Sequence, residues 1–98
     1  EDLVAYYKWR WIMVKNLLFK VKDLDYINAI LEINEFWLDL KSPKDMPYQF
    51  QGIGNDIEPK DFYTNENLTK IITNHEKWLV KERIKLSANN ISKNIENW

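Results

Sequence analysis

Cysteine is absent from this 98-residue chain. Disulfide scaffolds, thiol nucleophiles and cysteine-ligated zinc are therefore excluded. Histidine occurs once, as His75. One imidazole with no second His and no Cys cannot build a histidine-rich zinc site within one chain. Glycine occurs only at Gly52 and Gly54, too sparsely for a phosphate-cradling loop. The serines Ser42, Ser87 and Ser92 lack the flanking glycines of a nucleophile elbow. No apolar run approaches the ~20 residues of a membrane span, and no signal-peptide pattern opens the chain. Net charge is almost nil, at -1, which removes a global electrostatic argument for nucleic-acid binding. These absences lead us to expect a cytoplasmic protein that is not an enzyme, has no cofactor, metal or catalytic residue, and makes no membrane contact.

What is present is material for a helical core. Hydrophobic residues make up 45% of the chain and aromatics 14%, with five Trp, enough for one modest core. We expect a single all-α domain over residues 1–98. Leu3 to Val21 reads as the first helix, with Val4, Tyr7, Trp11, Val14, Leu18 and Val21 on one face. Trp9, Ile12, Met13 and Phe19 cover much of its other side. Such an all-round apolar helix is usually central or lacks a partner. Asp23 or Asp25 can cap a second helix from about Tyr26 to Leu40, where a short carboxylate accepts an orphan backbone N–H. Pro43 stops it. Thr64 or Asn65 caps the third main helix, which runs to about Leu86. Ile91, Ile95 and Trp98 suggest a short fourth helix at the C-terminus.

Residues 41–63 hold all three prolines and both glycines, together with Met46, Tyr48, Phe50, Ile53, Ile57, Phe62 and Tyr63. That is too apolar for a disordered linker, so an ordered loop is expected, with room for one helical turn or a short strand. Long connections of this kind are often functional.

Polar residues interrupt the apolar stripes at three points. His75 and Glu82 lie on the core line of the third helix, and Arg10 on that of the first. Burying such groups is costly unless they are partnered, so an Arg10–Glu82 pair with His75 nearby is expected. A lone His on such a face is more often a satisfied core residue than a catalyst, and acid–base work would also need a nucleophile or oxyanion donors in a cleft. The loop carboxylates Asp56, Glu58 and Asp61 lack the ligand spacing and glycine of an EF-hand.

Charge is unevenly placed beneath the neutral total. Residues 23–61 carry three basic and nine acidic side chains, a net of -6. Asn28, Glu32, Glu35 and Asp39 line one face of the second helix and lead into the loop. Acidic complementarity speeds encounter with a basic partner, and aromatics commonly supply anchors. The candidate partner-binding residues are therefore Glu32, Glu35, Asp39, Asp45, Tyr48, Phe50, Asp56 and Glu58, although such a stripe is also what the wet side of any helix looks like. Lys8, Lys15 and Lys22 form a basic line on the first helix. It is the only footprint for nucleic acid, and Trp9, Arg10 and Trp11 beside it point ~100° apart, so they make no single stacking platform.

The stretch from Asp25 to Tyr48 carries a resemblance. Ile30-Leu31-Glu32-Ile33, then Phe36-Trp37-Leu38-Asp39-Leu40, then Ser42-Pro43-Lys44-Asp45-Met46, resembles small helical bacterial proteins of uncharacterised function. Phe62-Tyr63-Thr64 followed by an amphipathic helix is similar in layout. The likeness covers roughly residues 9–86 in order and spacing. Some of those proteins occur near polymorphic toxins and are thought to be immunity proteins. The resemblance implies a protein-binding module, an inhibitor that blocks a toxin, and a further N-terminal helical region that would make residues 1–98 the C-terminal part of a longer protein. It transfers no functional residues. The alternatives weighed beside it are a phage-type inhibitor or small regulatory factor of a host protein, a nucleic-acid-binding domain using the lysine line, and a homo-oligomer.

Overall fold

A computed structural model of the chain describes residues 2–88. They form four helices: α1 (Asp2–Val21), α2 (Tyr26–Asp39), α3 (Pro59–Phe62) and α4 (Asn65–Ala88). The first, second and fourth are the three expected main helices. The expected C-terminal helix at Ile91, Ile95 and Trp98 lies outside the described residues. α4 runs through Ser87 to Ala88, slightly beyond the expected end near Leu86.

Local chemistry sets the boundaries. A short turn joins α1 to α2, and the Asp25 carboxylate caps α2 by accepting from the Asn28 backbone N–H at 2.8 Å. The second helix ends in a paired-hydrogen-bond cap. Ser42 N–H donates to the Trp37 carbonyl at 2.9 Å and Lys41 N–H to the Leu38 carbonyl at 3.0 Å, the Schellman pattern. Lys41 takes the left-handed conformation this requires, with φ of 68°. Thr64 Oγ1 accepts from Asn67 N–H at 3.0 Å and so caps α4.

Each of α1, α2 and α4 packs on the other two. The α1–α2 turn makes that pair antiparallel. Arg10 opposite Glu82 and Trp11 opposite Leu79 make α1 and α4 antiparallel as well. α2 and α4 therefore point broadly the same way. Parallel neighbours need a return connection along the length of the bundle, and residues 40–64 supply it. This is why the loop is long and why it is apolar: it runs over the core. Met46, Tyr48, Phe50 and Tyr63 pack on the core cluster of Val14, Leu17, Val21, Ala29, Ile30, Ile33, Trp37, Phe62, Ile71 and Trp78. The single helical turn within it is α3, started by Pro59 at its first position, where a missing N–H costs nothing.

Trp11 and Leu86 form a second cluster with Tyr7, Ile12 and Leu79. It lies where α1 and α4 extend past the shorter α2. The over-apolar first helix is not central: Trp9 is 45% and Phe19 72% exposed, and Val80 and Ile84 on α4 are likewise exposed.

Candidate functional site

Two polar constellations sit beneath the return loop. The first is built on Arg10, which is almost fully buried. Its guanidinium makes a two-pronged contact with Asp45, Nη1 to Oδ1 at 3.1 Å and Nη2 to Oδ2 at 2.7 Å. Nη2 also donates to Glu82 Oε2 at 2.9 Å. The rings of Tyr7 and Trp78 lie against the cation, each with its centroid 4.9 Å from Cζ. Burial disfavours the cation, but the hydrogen bonds and charges of Asp45 and Glu82 outweigh it, and the Arg10 pKa moves upward. The planar guanidinium suits this place because it serves two carboxylates while stacking on aromatics. Lys85 approaches the other Glu82 oxygen at 3.6 Å.

The second constellation is centred on His75, which has no exposed surface. Its Nε2 accepts from the Trp37 indole N–H at 2.9 Å. Its Nδ1–H donates to the Ile71 carbonyl at 2.7 Å. Both partners demand the neutral ring with the proton on Nδ1. Burial agrees, lowering the His75 pKa to about 4, with the Ile71 hydrogen bond opposing it only in part. Trp37 stacks edge-on to Phe36 and Trp78, and Tyr48 lies beside the imidazole. The Tyr48 hydroxyl donates to Asn34 Oδ1, and burial pushes its pKa well above the ordinary phenol value. The His75 constellation is sealed from solvent. The Arg10 constellation borders two depressions, one lined by Asp45, Lys81 and Lys85 and the other by Leu3, Val4 and Leu86. Both constellations fasten the helices and the loop together.

The eight candidate partner-binding residues separate accordingly. Asp45 is spent on Arg10, although its side chain stays 43% exposed. Tyr48 and Phe50 are half-buried and turned onto the core. Glu32 is half-buried and paired with Lys20 at 2.6 Å. Glu35, Asp39, Asp56 and Glu58 are exposed and form no ion pair among the described residues. Glu35 and Asp39 adjoin Met13, Asn16 and Lys20 along the α1–α2 groove. Asp56 and Glu58 lie further along the return loop. Of the basic line, Lys15 sits over the Trp11 ring and Lys22 over the Phe19 ring.

Two features went unseen in the sequence. Asp45 as the second partner of Arg10 has no local pattern to announce it, since the two are 35 residues apart. Asn55 turns out to order the loop tip. Its Oδ1 accepts from Gly52 and Ile57 N–H at 3.0 and 3.1 Å, and its Nδ2 donates to the Phe50 and Ile53 carbonyls. An Asn between two glycines and a proline was the available signal, because Asn side chains bond nearby backbone in turns. Met46, Pro47, Tyr48, Phe50 and Ile53, with Ser42, Lys44 and Gln49, border an open depression on the loop's outer side.

Fold and site together define an all-helical domain, a three-helix bundle closed by an ordered return loop, with no described helix long and apolar enough to cross a membrane. Within that class, the chain belongs to a family of uncharacterized proteins conserved in bacteria (DUF2247), whose model matches residues 1–83. No curated protein and no solved structure matches it. Membership agrees with the resemblance to uncharacterised helical bacterial proteins.

Proposed function

We propose that this domain is a protein-binding module, an immunity-type inhibitor that holds a basic partner such as a toxin. The observation that carries the reading is a set of four exposed carboxylates, Glu35 and Asp39 beside the α1–α2 groove and Asp56 and Glu58 on the return loop. These four carboxylates remain exposed and outside any ion pair among the described residues, while Glu32 pairs with Lys20 and Asp45 with Arg10. The loop that carries two of them is fastened by Arg10–Asp45, Tyr48–Asn34 and Asn55. A preformed surface avoids the entropy of ordering at the moment of binding. Acidic complementarity raises the encounter rate and sets specificity. Bacterial family membership is compatible with an inhibitor encoded beside a toxin.

The test is affinity capture from the source bacterium with the natural chain and with Glu35→Lys/Asp39→Lys in parallel. A stoichiometric protein held by the natural chain and lost by the variant supports the reading. A partner held equally by both removes the acidic face from the mechanism.

A further inference from the structure

Two buried side-chain donors among the described residues end without an acceptor, Arg10 Nε–H and the Trp78 indole N–H. They are neighbours, since the Arg10 guanidinium lies against the Trp78 ring. A buried donor left without a partner is costly, and in native folds such groups commonly mark a place for a water, an ion or a ligand. Trp78 lines the depression beside Asp45, on the flank of α4. The depression measures about 370 Å³, at the small end of ligand sites. The indole N–H has almost no solvent contact, so an incoming oxygen reaches it by displacing exposed neighbours. Asn74 and Lys81, four residues before Trp78 and three after it, are exposed and line the same depression. At that spacing they flank Trp78 on the helix surface, and exposed side chains change rotamer within nanoseconds.

The charge around this depression has one sign to spare. Lys77, Lys81 and Lys85 line it and are all exposed. Each follows the last by four residues, so their stems rise from one side of α4 about 6 Å apart along the axis. The two carboxylates in the depression are already engaged. Asp45 and Glu82 both accept from Arg10, and Lys85 approaches Glu82 as well. Lys77 and Lys81 form no ion pair among the described residues. Three lysines and Arg10 against two carboxylates leave a surplus of two positive charges, in a chain whose total is -1. The polar groups left over are two ammoniums, an indole N–H and the amide of Asn74, all of which can donate. A ligand with several acceptor oxygens and about two negative charges fits this set, and a phosphate monoester at neutral pH has both. A carboxylate brings one charge and two oxygens. Lysine holds phosphate as a point charge and needs no planar fork to do so.

We propose that the depression between α4 and the return loop is a binding site for a small phosphate monoester. Lys77 and Lys81 supply the charge. Trp78 supplies a fixed, desolvated donor, which an ordinary solvated lysine face lacks. Arg10 acts from beneath by neutralising Asp45 and Glu82, whose charges would otherwise repel the anion. Asp45 and Pro47 belong to the return loop and border the depression, so a bound phosphate also lies between α4 and that loop. The site uses none of the four exposed carboxylates, so it stands or fails independently of the inhibitor reading.

Titration of the full chain with inorganic phosphate tests it, with chloride withdrawn to keep the ionic strength constant and the indole N–H signals followed by nitrogen–proton NMR. Trp78→Phe identifies the Trp78 signal by its disappearance. That signal is expected to move and saturate, while those of Trp37 and Trp11, already bonded to His75 and to the Leu79 carbonyl, hold still. Lys77→Gln/Lys81→Gln should raise the half-saturating phosphate concentration roughly tenfold, the loss of about one charged hydrogen bond. Both positions are exposed and outside any ion pair, so circular dichroism of this variant should match the natural chain. Lys15→Gln/Lys22→Gln makes the same change of net charge on α1 and should leave the half-saturation point where it was. The absence of a saturable shift overturns the proposal. So does an unchanged midpoint in Lys77→Gln/Lys81→Gln, or an equal loss in the α1 variant. A shift given by oligothymidylate but not by phosphate also overturns it, and would assign this face to a polynucleotide backbone.

Discussion

Acidification should weaken this fold through one ring. His75 is held between an indole N–H and a carbonyl, and only the neutral Nδ1–H form satisfies both. A second proton on Nε2 would set N–H against N–H with Trp37 in a site with no water-exposed surface. Unfolded, the imidazole titrates at its ordinary 6.5, whereas folded it falls to about 4. The sign follows directly. Below pH 6.5 the unfolded chain takes up a proton that the folded chain refuses. The stabilisation is therefore complete above about pH 6.5, declines as pH falls, and is exhausted near pH 4. Each tenfold difference in proton affinity is worth ~1.4 kcal/mol, so the loss across this window is on the order of 3 kcal/mol. That is a large share of the ~5–15 kcal/mol that holds an ordinary domain together. Urea unfolding followed by tryptophan fluorescence, repeated from pH 7.5 to 4.5, measures it. His75→Gln keeps an acceptor and a donor but cannot titrate, so it serves as the reference curve. The natural chain should lose stability more steeply than the variant between pH 6.5 and 4.5. Parallel curves, or an imidazole NMR titration centred near 6.5 in the folded protein, would refute the reasoning.

Three other substitutions probe the same structure. Glu82→Ala should cost about 3 kcal/mol, the low end for stranding a buried charge, because Asp45 still holds Arg10; an unchanged melting temperature would show that Glu82 is not buried against it. Lys41→Gly should stabilise by about 1 kcal/mol, since glycine takes the left-handed C-terminal position of α2 without a Cβ penalty; chemical denaturation reads the gain, and a loss would contradict the cap geometry. Asn55→Ala should speed amide hydrogen exchange at Gly52 and Ile57, whose N–H groups it caps, at a global cost of only about 1 kcal/mol. Unchanged exchange at both amides would mean that Asn55 does not order the loop.

The helices were legible because their apolar residues repeat at helical spacing over long stretches. The interruptions were equally legible: Arg10, His75 and Glu82 broke apolar lines where polar groups are expensive, and all three are buried. Arg10 and Glu82 meet, as their shared position across two core faces implied. Their further partners were not readable. Asp45 and Trp37 reach them only through tertiary packing, from 35 and 38 residues away. The acidic candidates were read from charge alone, and charge does not reveal which carboxylates a fold consumes. Tyr48 and Phe50 looked like exposed anchors because they sit in a loop. The parallel course of α2 and α4 turns that loop across the core and buries much of both rings.

Arg10 also changes what it means to cut or move this chain. One side chain near the N-terminus holds residue 45 in the connection and residue 82 near the end of α4. The return loop therefore cannot lift without stripping a buried cation of a carboxylate, and α1 cannot slide without disturbing both. In mechanical terms Arg10 is a clamp that joins α1, the return loop and α4 at one point. A force or a binding event on the loop is carried to α1 and α4 alike, and removal of the first three turns of α1 should loosen a surface far along the sequence from the cut.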